Sequence, residues 1–304
     1  MTKPHLTPDA LLPASRPESR PAFSLIELLV ASALSLVVMG AVASLFSVFG
    51  RSVSDGQAMV ELSARMRNAA WRLRQDLVGL TCVPAARVRV EANAGYFQVI
   101  EGSGTTPEDP NSLIGDSDDV VALTTSSPGA PFTGRLAGAR GFESPTAEVI
   151  WFCEPSGQQH RGQDLYNLHR RQLLVAGAPD AGSFANNVFA TQGESDLSYR
   201  SHALSLGDLS KQANRFLTTV GGNRRLTGNR EGEDVILGNV IAFDVRIAEG
   251  GQPPGAQPVD KSFETRENGD PDAPPLRGIE VRIRCVEPSS NQIREFKVVH
   301  VFGA

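Results

Sequence analysis

One acidic residue lies at the edge of a long apolar run. Glu27 is followed by 23 residues without a charge, Leu28 to Gly50. A helix rises about 1.5 Å per residue, so this run spans roughly 35 Å and exceeds a hydrocarbon core of about 30 Å. A carboxylate in hydrocarbon costs on the order of 2.5–3.5 kcal/mol, so an acid there indicates a function. It needs a cation, which its own helix does not offer nearby, and an amino terminus created by cleavage just before Phe23 would supply one.

A second group of acidic residues has the composition of a metal site. Asp116, Asp118 and Asp119 come just before an expected strand, and carboxylates at alternate positions are oxygen ligands that suit Ca²⁺. The run lacks the glycine and the distal glutamate of an EF-hand loop. Aspartate is also common in turns, because its side chain bonds to the nearby backbone. We therefore expect no cofactor, and we keep Ca²⁺ as the one metal that this pattern would suit.

The sequence holds no established catalytic motif. Its five histidines lack zinc-site spacing, and a Walker loop, a dinucleotide-binding glycine motif and a nucleophile elbow are absent. We therefore expect that the chain is not an enzyme. A catalytic triad is defined by geometry rather than by spacing, so a membrane-tethered or secreted enzyme stays an alternative.

Three cysteines leave two arrangements open. Cys82 follows an expected helix, Cys153 ends an expected strand, and Cys285 lies on the apolar face of another strand. Outside the cytoplasm a disulfide is permitted, and every pairing leaves one thiol. The two alternatives are a Cys153–Cys285 bridge and three unpaired thiols.

Composition and flanking charge define the setting of the apolar run. The chain of 304 residues has a net charge of −5, with 40% hydrophobic and 21% charged residues. These values exclude a disordered chain, a multi-span membrane protein and a chain built to coat nucleic acid. Residues 1–22 hold three basic and two acidic residues and five prolines. Because basic residues mark the cytoplasmic side of a membrane segment, we expect the residues after Gly50 outside the cytoplasm.

The residues around Glu27 resemble a known processing signal. Ala22-Phe23-Ser24-Leu25-Ile26-Glu27-Leu28-Leu29-Val30 is similar to the class III signal of type IV prepilins and type II secretion pseudopilins. That signal is a small residue, usually Gly, followed by Phe-Thr-Leu-Ile-Glu-Leu-Leu-Val. The resemblance implies that a prepilin peptidase cuts between Ala22 and Phe23 and N-methylates Phe23. It also implies that Glu27 pairs with the terminal amine of a neighbouring subunit during assembly. Ala22 departs from the usual Gly.

The resemblance further implies a structural role in a bacterial inner membrane. The expected function is that of a minor pseudopilin at the tip of a type II secretion pseudopilus, with a cytoplasmic N-terminus, a single pass and a periplasmic C-terminal domain. The expected partners are the prepilin peptidase, other pseudopilins or minor pilins, and the inner membrane, with no nucleic acid. A minor type IV pilin, with roles in pilus assembly, adhesion or DNA uptake, shares the signal and stays an alternative.

An ordinary secretory signal peptide competes with the prepilin signal. Cleavage after Ala41-Val42-Ala43 would fit the small-residue rule for such peptides. This alternative leaves Glu27 unexplained and needs an apolar run longer than the usual 7–15 residues.

Beyond the apolar run the chain predicts an amphipathic helix. No proline occurs between Ala22 and Pro84, which favours one long helix over about residues 24–80, with a soft point at Gly50–Gly56. Apolar residues recur at steps of three and four, as in a helix packed on a domain: Met59, Leu62, Met66, Ala70, Leu73, Leu77 and Leu80.

The charged residues of this helix are expected on solvated faces. Glu61/Arg65 and Arg72/Asp76 are opposite charges four residues apart, each pair worth a few tenths of a kcal/mol. The stretch 65–77 resembles the region after the membrane segment in J-type minor pseudopilins and W-type minor pilins.

The fold class predicted from these elements is α+β. It is pilin-like, with a long N-terminal helix packed on a mostly antiparallel sheet with long loops. The expected domains are a leader at 1–22, a transmembrane or filament-core helix at 23–50, and a periplasmic domain at 51–304 whose helix runs to about 81. Strands are expected at 88–91 and 96–101, which would form a hairpin around Asn93-Ala94-Gly95. Further strands are expected at 119–125, 148–153, 165–175, 235–247, 277–286 and 292–302, and loops at 102–118, 126–146, 176–234 and 249–275.

Overall fold

The chain folds into one long helix and an antiparallel sheet. The structure is a computed structural model. It describes residues 24–105, 107, 109, 111–136, 140–175, 205–212, 215, 217–220, 223–226, 233–253 and 256–303. The backbone divides into two compact units, residues 1–54 and 55–304. Helix α1, Leu25–Val78, contributes residues to both units.

The first part of α1 is an exposed apolar helix. The helix predicted over about 24–80 is confirmed, and it continues through Gly50 and Gly56 without interruption. Side chains from residue 25 to residue 50 are exposed, and the segment is long and apolar enough to cross a membrane. The Ser35 hydroxyl donates to the carbonyl oxygen of Ala31 at 2.8 Å, and Ser32 and Ser47 make similar bonds within the helix. These serines are therefore compatible with a lipid environment, which offers no partner for a free hydroxyl.

Thirteen strands and a short helix make up the rest of the described chain. Nine strands form one sheet in the order β11-β1-β2-β5-β6-β9-β12-β13, with β10 paired to β9, and every pairing is antiparallel. Two separate hairpins are β3–β4 and β7–β8. The strands are β1 Phe97–Ile100, β2 Val120–Ser126, β3 Phe132–Leu136, β4 Arg140–Ser144, β5 Thr146–His160, β6 Gln163–Leu174, β7 Leu217–Val220, β8 Asn223–Leu226, β9 Glu233–Ala248, β10 Val259–Asp260, β11 Phe263–Glu264, β12 Gly278–Glu287 and β13 Gln292–Val301; helix α2 is Leu206–Ser210.

Seven of the predicted strands are confirmed as β1, β2, β5, β6, β9, β12 and β13. The hairpin predicted from 88–91 and 96–101 is wrong, because Val90–Ala92 is a 3-10 helix and β1 pairs with β2 and β11 instead. Three expected loops also contain strands: β3 and β4 lie in 126–146, β7 and β8 in 176–234, and β10 and β11 in 249–275. Each of these strands is five residues or shorter, so its alternation is too brief to read from the sequence.

Strand β12 follows the predicted alternation. Ile279, Val281, Ile283 and Cys285 lie in the main core, while the residues between them point to the other face. On that face Glu280 accepts from Arg282 at 2.8 Å and pairs with Lys297 at 2.6 Å. These partners lower the pKa of Glu280 on balance, although burial acts to raise it.

The second part of α1 packs against the sheet through one face. Seven apolar side chains of this face, which we call the inner seam, are buried in the main core together with side chains of β1, β2, β5, β6, β9, β12 and β13. The predicted stripe is therefore confirmed, with Ala69 added and Leu80 packed at its edge: Met59, Leu62, Met66, Ala69, Ala70, Leu73 and Leu77.

A close backbone contact follows the helix. A Cβ on Gly79 would lie 2.2 Å from the carbonyl oxygen of Ser126, and the Ser126 N–H donates to the Gly79 carbonyl at 2.7 Å. Glycine at position 79 therefore lets the end of α1 lie directly against the end of β2.

A buried charge cluster locks the last turns of α1 to the sheet. Asp76 is 5% exposed, and its carboxylate accepts from Arg170 Nε at 2.8 Å and Arg170 Nη2 at 2.7 Å. The indole N–H of Trp151 donates to the same carboxylate at 2.8 Å. The expected pairing of Asp76 with Arg72 is wrong: Arg72 lies 4.0 Å from Asp234 instead. A buried carboxylate with three donors on β5 and β6 is more strongly held than a surface pair on one helix.

We predict that Asp76→Ala lowers the free energy of unfolding by about 3–5 kcal/mol, because it leaves the Arg170 guanidinium buried without its counter-ion. Urea unfolding of the detergent-solubilised full chain, followed by circular dichroism, measures this change. The matched control is Arg72→Ala one turn earlier, which should change the free energy by less than about 0.5 kcal/mol. Equal losses in the two variants would show that the cluster does not lock the helix.

Candidate functional site

Glu27 lies in the first turn of α1 and is bonded to the residue that caps the helix. The Ser24 hydroxyl oxygen accepts from the Glu27 N–H at 3.2 Å. The Oε2 atom of Glu27 accepts from the Ser24 N–H at 2.9 Å and from the Ser24 hydroxyl at 3.0 Å. This reciprocal pattern is a capping box, which satisfies donors that a helix start leaves without partners. The box fixes the position of the carboxylate relative to the helix.

The capping box changes the interpretation of Glu27. The sequence argument treated the acid as lacking a partner in its own helix, but the Ser-x-x-Glu spacing was a signal for this cap. The other carboxylate oxygen, Oε1, has no hydrogen-bond partner among the described residues, and the side chain is exposed. Half of the carboxylate is therefore available to an external donor. Residues Ala22 and Phe23, with the rest of the leader, lie outside the described residues.

Asp118 holds the chain that follows β1. Its carboxylate oxygens accept from the backbone N–H groups of Ser103 at 2.9 Å and Gly104 at 3.2 Å. A Cβ on Gly102 would lie 2.1 Å from this carboxylate, so only glycine permits the approach. Burial acts to raise the pKa of Asp118, but the hydrogen bonds from Asp116 and from the backbone lower it on balance.

Asp119 ties three segments of the sheet together. One carboxylate oxygen accepts from the Gly102 N–H at 2.9 Å, and the other accepts from the Val245 N–H on β9 at 2.7 Å. Asp119 itself directly precedes β2. Burial nevertheless raises its pKa to about 7, because the side chain is 1% exposed and near other acids. These two hydrogen bonds from backbone N–H groups explain the position of the Asp119 carboxylate.

Two further carboxylates complete the acidic cluster. Glu101, Asp116 and Asp119 each offer one oxygen within 4.8 Å of the others. Burial, with the neighbouring acids, raises the pKa of Asp116 to about 8 and that of Glu101 to about 7. Asp244 is nearby, and burial raises its pKa as well. Glu101 is not among the residues predicted from the sequence, because residues 96–101 are expected there to pair with 88–91 rather than with β2.

Backbone hydrogen bonds already use part of the acidic cluster. Ca²⁺ takes six to eight oxygen ligands. Both oxygens of Asp118 and both of Asp119 already accept backbone N–H groups. Burial raises the pKa values of Asp116 and Glu101, so protons compete with any cation for their oxygens near neutral pH. The three predicted aspartates are thus brought together by turn and strand geometry.

The cysteines are free thiols in this structure. Cys82 and Cys285 are buried, and Cys153 is half-buried. Cys153 on β5 and Cys285 on β12 are separated in the sheet order by β6 and β9. Burial raises the pKa of the Cys82 thiol to about 12. The Cys153–Cys285 bridge expected as one alternative is not formed in this structure and stays a prediction.

The described histidines pack with different partners. The Nε2 atom of His160 lies 2.5 Å from the Asn291 side-chain oxygen. The His169 ring stacks on Phe152, and the His300 ring meets Phe302 edge-on. His5 and His202 lie outside the described residues.

Comparison with known proteins adds no relative. No protein-family model matches the chain, and no curated protein or solved structure matches it. The fold is α+β, with a long apolar N-terminal helix and a curled antiparallel sheet, a layout compatible with a pilin-like protein.

We predict that the free energy of unfolding falls as the pH rises from about 5 to 8. The folded-state pKa values of Glu101, Asp116 and Asp119 lie above the ordinary values, so the folded chain binds more protons than the unfolded chain across this window. Asp116→Asn removes one of these groups and should flatten the fall. Thermal unfolding at pH 5, 6, 7 and 8 measures the effect.

Calcium provides the opposing test of the same cluster. With 1 mM Ca²⁺ at pH 8 we expect the melting temperature to stay within about 1 °C of its value in EDTA, because a ligand that does not bind the folded state does not shift unfolding. A rise of several degrees that Asp116→Asn abolishes would identify the cluster as a cation site and overturn the proton-holding interpretation.

Proposed function

We propose that this chain is a minor pseudopilin of a type II secretion system. It is cut before Phe23, N-methylated there, held in the inner membrane by the first part of α1, and assembled at the tip of a pseudopilus. The role is structural and uses no cofactor. Its partners are the prepilin peptidase and other pseudopilins.

One observation carries the proposal. A single uninterrupted helix begins at a capped acid, continues through an exposed apolar span, and ends in a face buried against an antiparallel sheet. A secretory signal peptide requires none of these features beyond the apolar span. The match of residues 22–30 to the prepilin signal supports the same conclusion.

The mechanism follows from where the acid is held. The capping box directs Oε2 of Glu27 towards Ser24, and Oε1 remains for the amine of a neighbouring subunit. An unpaired charge is costly in a filament core that excludes water, so subunits without this pairing are disfavoured. The pairing sets the axial register between neighbours, while the apolar span of α1 retains each subunit in the bilayer until assembly.

Processing gives the first test. We predict that the mature chain begins at methylated Phe23, because the peptidase recognises the small residue and the apolar helix that follows. Co-expression with a prepilin peptidase, followed by N-terminal sequencing and intact-mass measurement, reads the new terminus. A chain that begins at Ser44 would instead identify a secretory signal peptide and would end the pseudopilin proposal.

Assembly gives the second test, and two variants separate the roles of Glu27. Glu27→Gln keeps an acceptor for the Ser24 cap but removes the charge, whereas Glu27→Ala removes both. We predict that both variants insert in the membrane normally and that their incorporation falls at least tenfold, because neither pairs with an amine. Membrane fractionation and co-purification with partner pseudopilins measure the two steps.

Ser24→Ala is the matched control for the cap. It removes the hydroxyl but keeps the Glu27 charge, and it should reduce incorporation less than Glu27→Gln does. Normal incorporation of Glu27→Gln together with a defect in Ser24→Ala would assign Glu27 to helix capping and contradict the assembly role.

A further inference from the structure

The second part of α1 carries another periodic face, roughly 125° around the helix from the inner seam. Its residues recur at steps of four, three, four, three and four, which is the spacing of the contact positions in a coiled coil. At about 1.5 Å per residue the face extends about 27 Å along the helix. We call it the outer seam: Val60, Ala64, Arg67, Trp71, Arg74 and Val78.

The apolar members of the outer seam are exposed. Val60 is 68% exposed, Trp71 is 59% exposed and Val78 is 62% exposed. Trp71 is the notable member, since an exposed tryptophan is uncommon on a free surface and tryptophan is enriched where proteins bind one another. A helix that packs on its own sheet through one face has no structural need for a second coiled-coil face.

The charges on the outer seam have one sign. Arg67 has no ion-pair partner among the described residues, and the Arg74 guanidinium lies 5.7 Å from the centre of the Phe296 ring. The seam contains no acid. The nearby Glu61 is already ion-paired with Arg65. The two seam arginines are seven residues apart, so they occupy equivalent positions of the coiled-coil repeat.

These charges exclude a second copy of the same helix as the occupant. Subunits anchored in one membrane by the same end have parallel helices, a point that rests on the proposed function. In a parallel pair in register, Arg67 faces Arg67 and Arg74 faces Arg74. A shift by one repeat brings Arg67 opposite Arg74, so the repulsion persists. Like charges at contact positions select against self-pairing and favour a partner of opposite sign.

We propose that the outer seam docks a helix of a different subunit. That helix carries an apolar stripe against Val60, Trp71 and Val78, and carboxylates seven residues apart against Arg67 and Arg74. The tryptophan provides most of the buried area, and the arginines set the identity of the partner. The site thereby makes assembly heterotypic, with this subunit next to an acidic one.

The experiment uses the full chain in detergent micelles and three synthetic helical peptides of about 25 residues. Two peptides have the same apolar stripe and carry either two Glu or two Lys at the positions that face the arginines. The third is the segment 54–80 of this chain with Trp71→Phe, so that the peptide adds no indole emission. Trp71 emission reports docking, because Trp151 is fully buried and gives a constant background that a Trp71→Phe variant allows to be subtracted.

The expected result has three parts. The Trp71 emission of the free chain is that of a solvent-exposed indole. The Glu peptide shifts it to shorter wavelength and binds at least ~10-fold more tightly than the Lys peptide or segment 54–80. Arg67→Glu with Arg74→Glu reverses this preference. Arg89→Glu with Arg161→Glu, an equal change of net charge at exposed sites outside α1 and β13, leaves the preference for the Glu peptide intact.

Three results would overturn the proposal. A buried emission maximum in the free chain would mean that its own residues cover Trp71. Tightest binding of segment 54–80 would make the face a contact between identical copies. Equal affinity for the Glu and Lys peptides would show that the two arginines do not select the partner. The readout does not depend on Glu27 or on cleavage, so the docking site can fail while the pseudopilin proposal stands, and the reverse.

Discussion

The bidentate contact of Asp76 with Arg170, joined by the Trp151 indole, is the constraint on which the other features depend. It connects the last turns of α1 to two central strands, β5 and β6. Because it is directional, it fixes the rotation of the helix about its own axis. The inner seam then faces the core, and Val60, Trp71 and Val78 of the outer seam stay exposed on another side of the helix. Apolar packing alone would tolerate small rotations that this contact forbids.

The acidic residues predicted as functional from the sequence are hydrogen-bonded to the protein's own backbone. Asp118 and Asp119 accept backbone N–H groups from the chain after β1 and from β9, and Glu27 accepts from its own helix cap. Each carboxylate accepts hydrogen bonds from backbone N–H groups that would otherwise have no acceptor at a strand end or a helix start. What distinguishes Glu27 is exposure, because one of its oxygens remains accessible where the acidic cluster is enclosed.

The long helix and the long strands could be predicted from local periodicity. Contacts between residues far apart in the sequence could not. The apolar spacing of α1 and the alternation of β9 and β12 extend over enough residues to distinguish a helix or strand from a chance pattern. The partner of Asp76, Arg170, is on β6 and far along the chain, whereas spacing along the helix points only to the nearby Arg72. Likewise, β1 pairs with a two-residue strand around Phe263, whose alternation is too short to detect. Within the candidate site, Glu27 could be predicted because it is a charged residue beside an apolar run. Glu101 could not, because its place in the acidic cluster depends on which strands pair.

The strand order has a consequence for the newly made chain. Strand β1 begins near residue 97, but its outer partner, β11, is found near residue 263, and β6, which pairs first with β5, finds its second partner only in β9. The helix is therefore synthesised long before the sheet that covers its inner seam. Until β9 and β12 arrive, that seam is an uncovered apolar surface beside a membrane-prone segment. Closure of the sheet is consequently late in synthesis, and the interval before closure is when chaperone binding or aggregation competes most strongly.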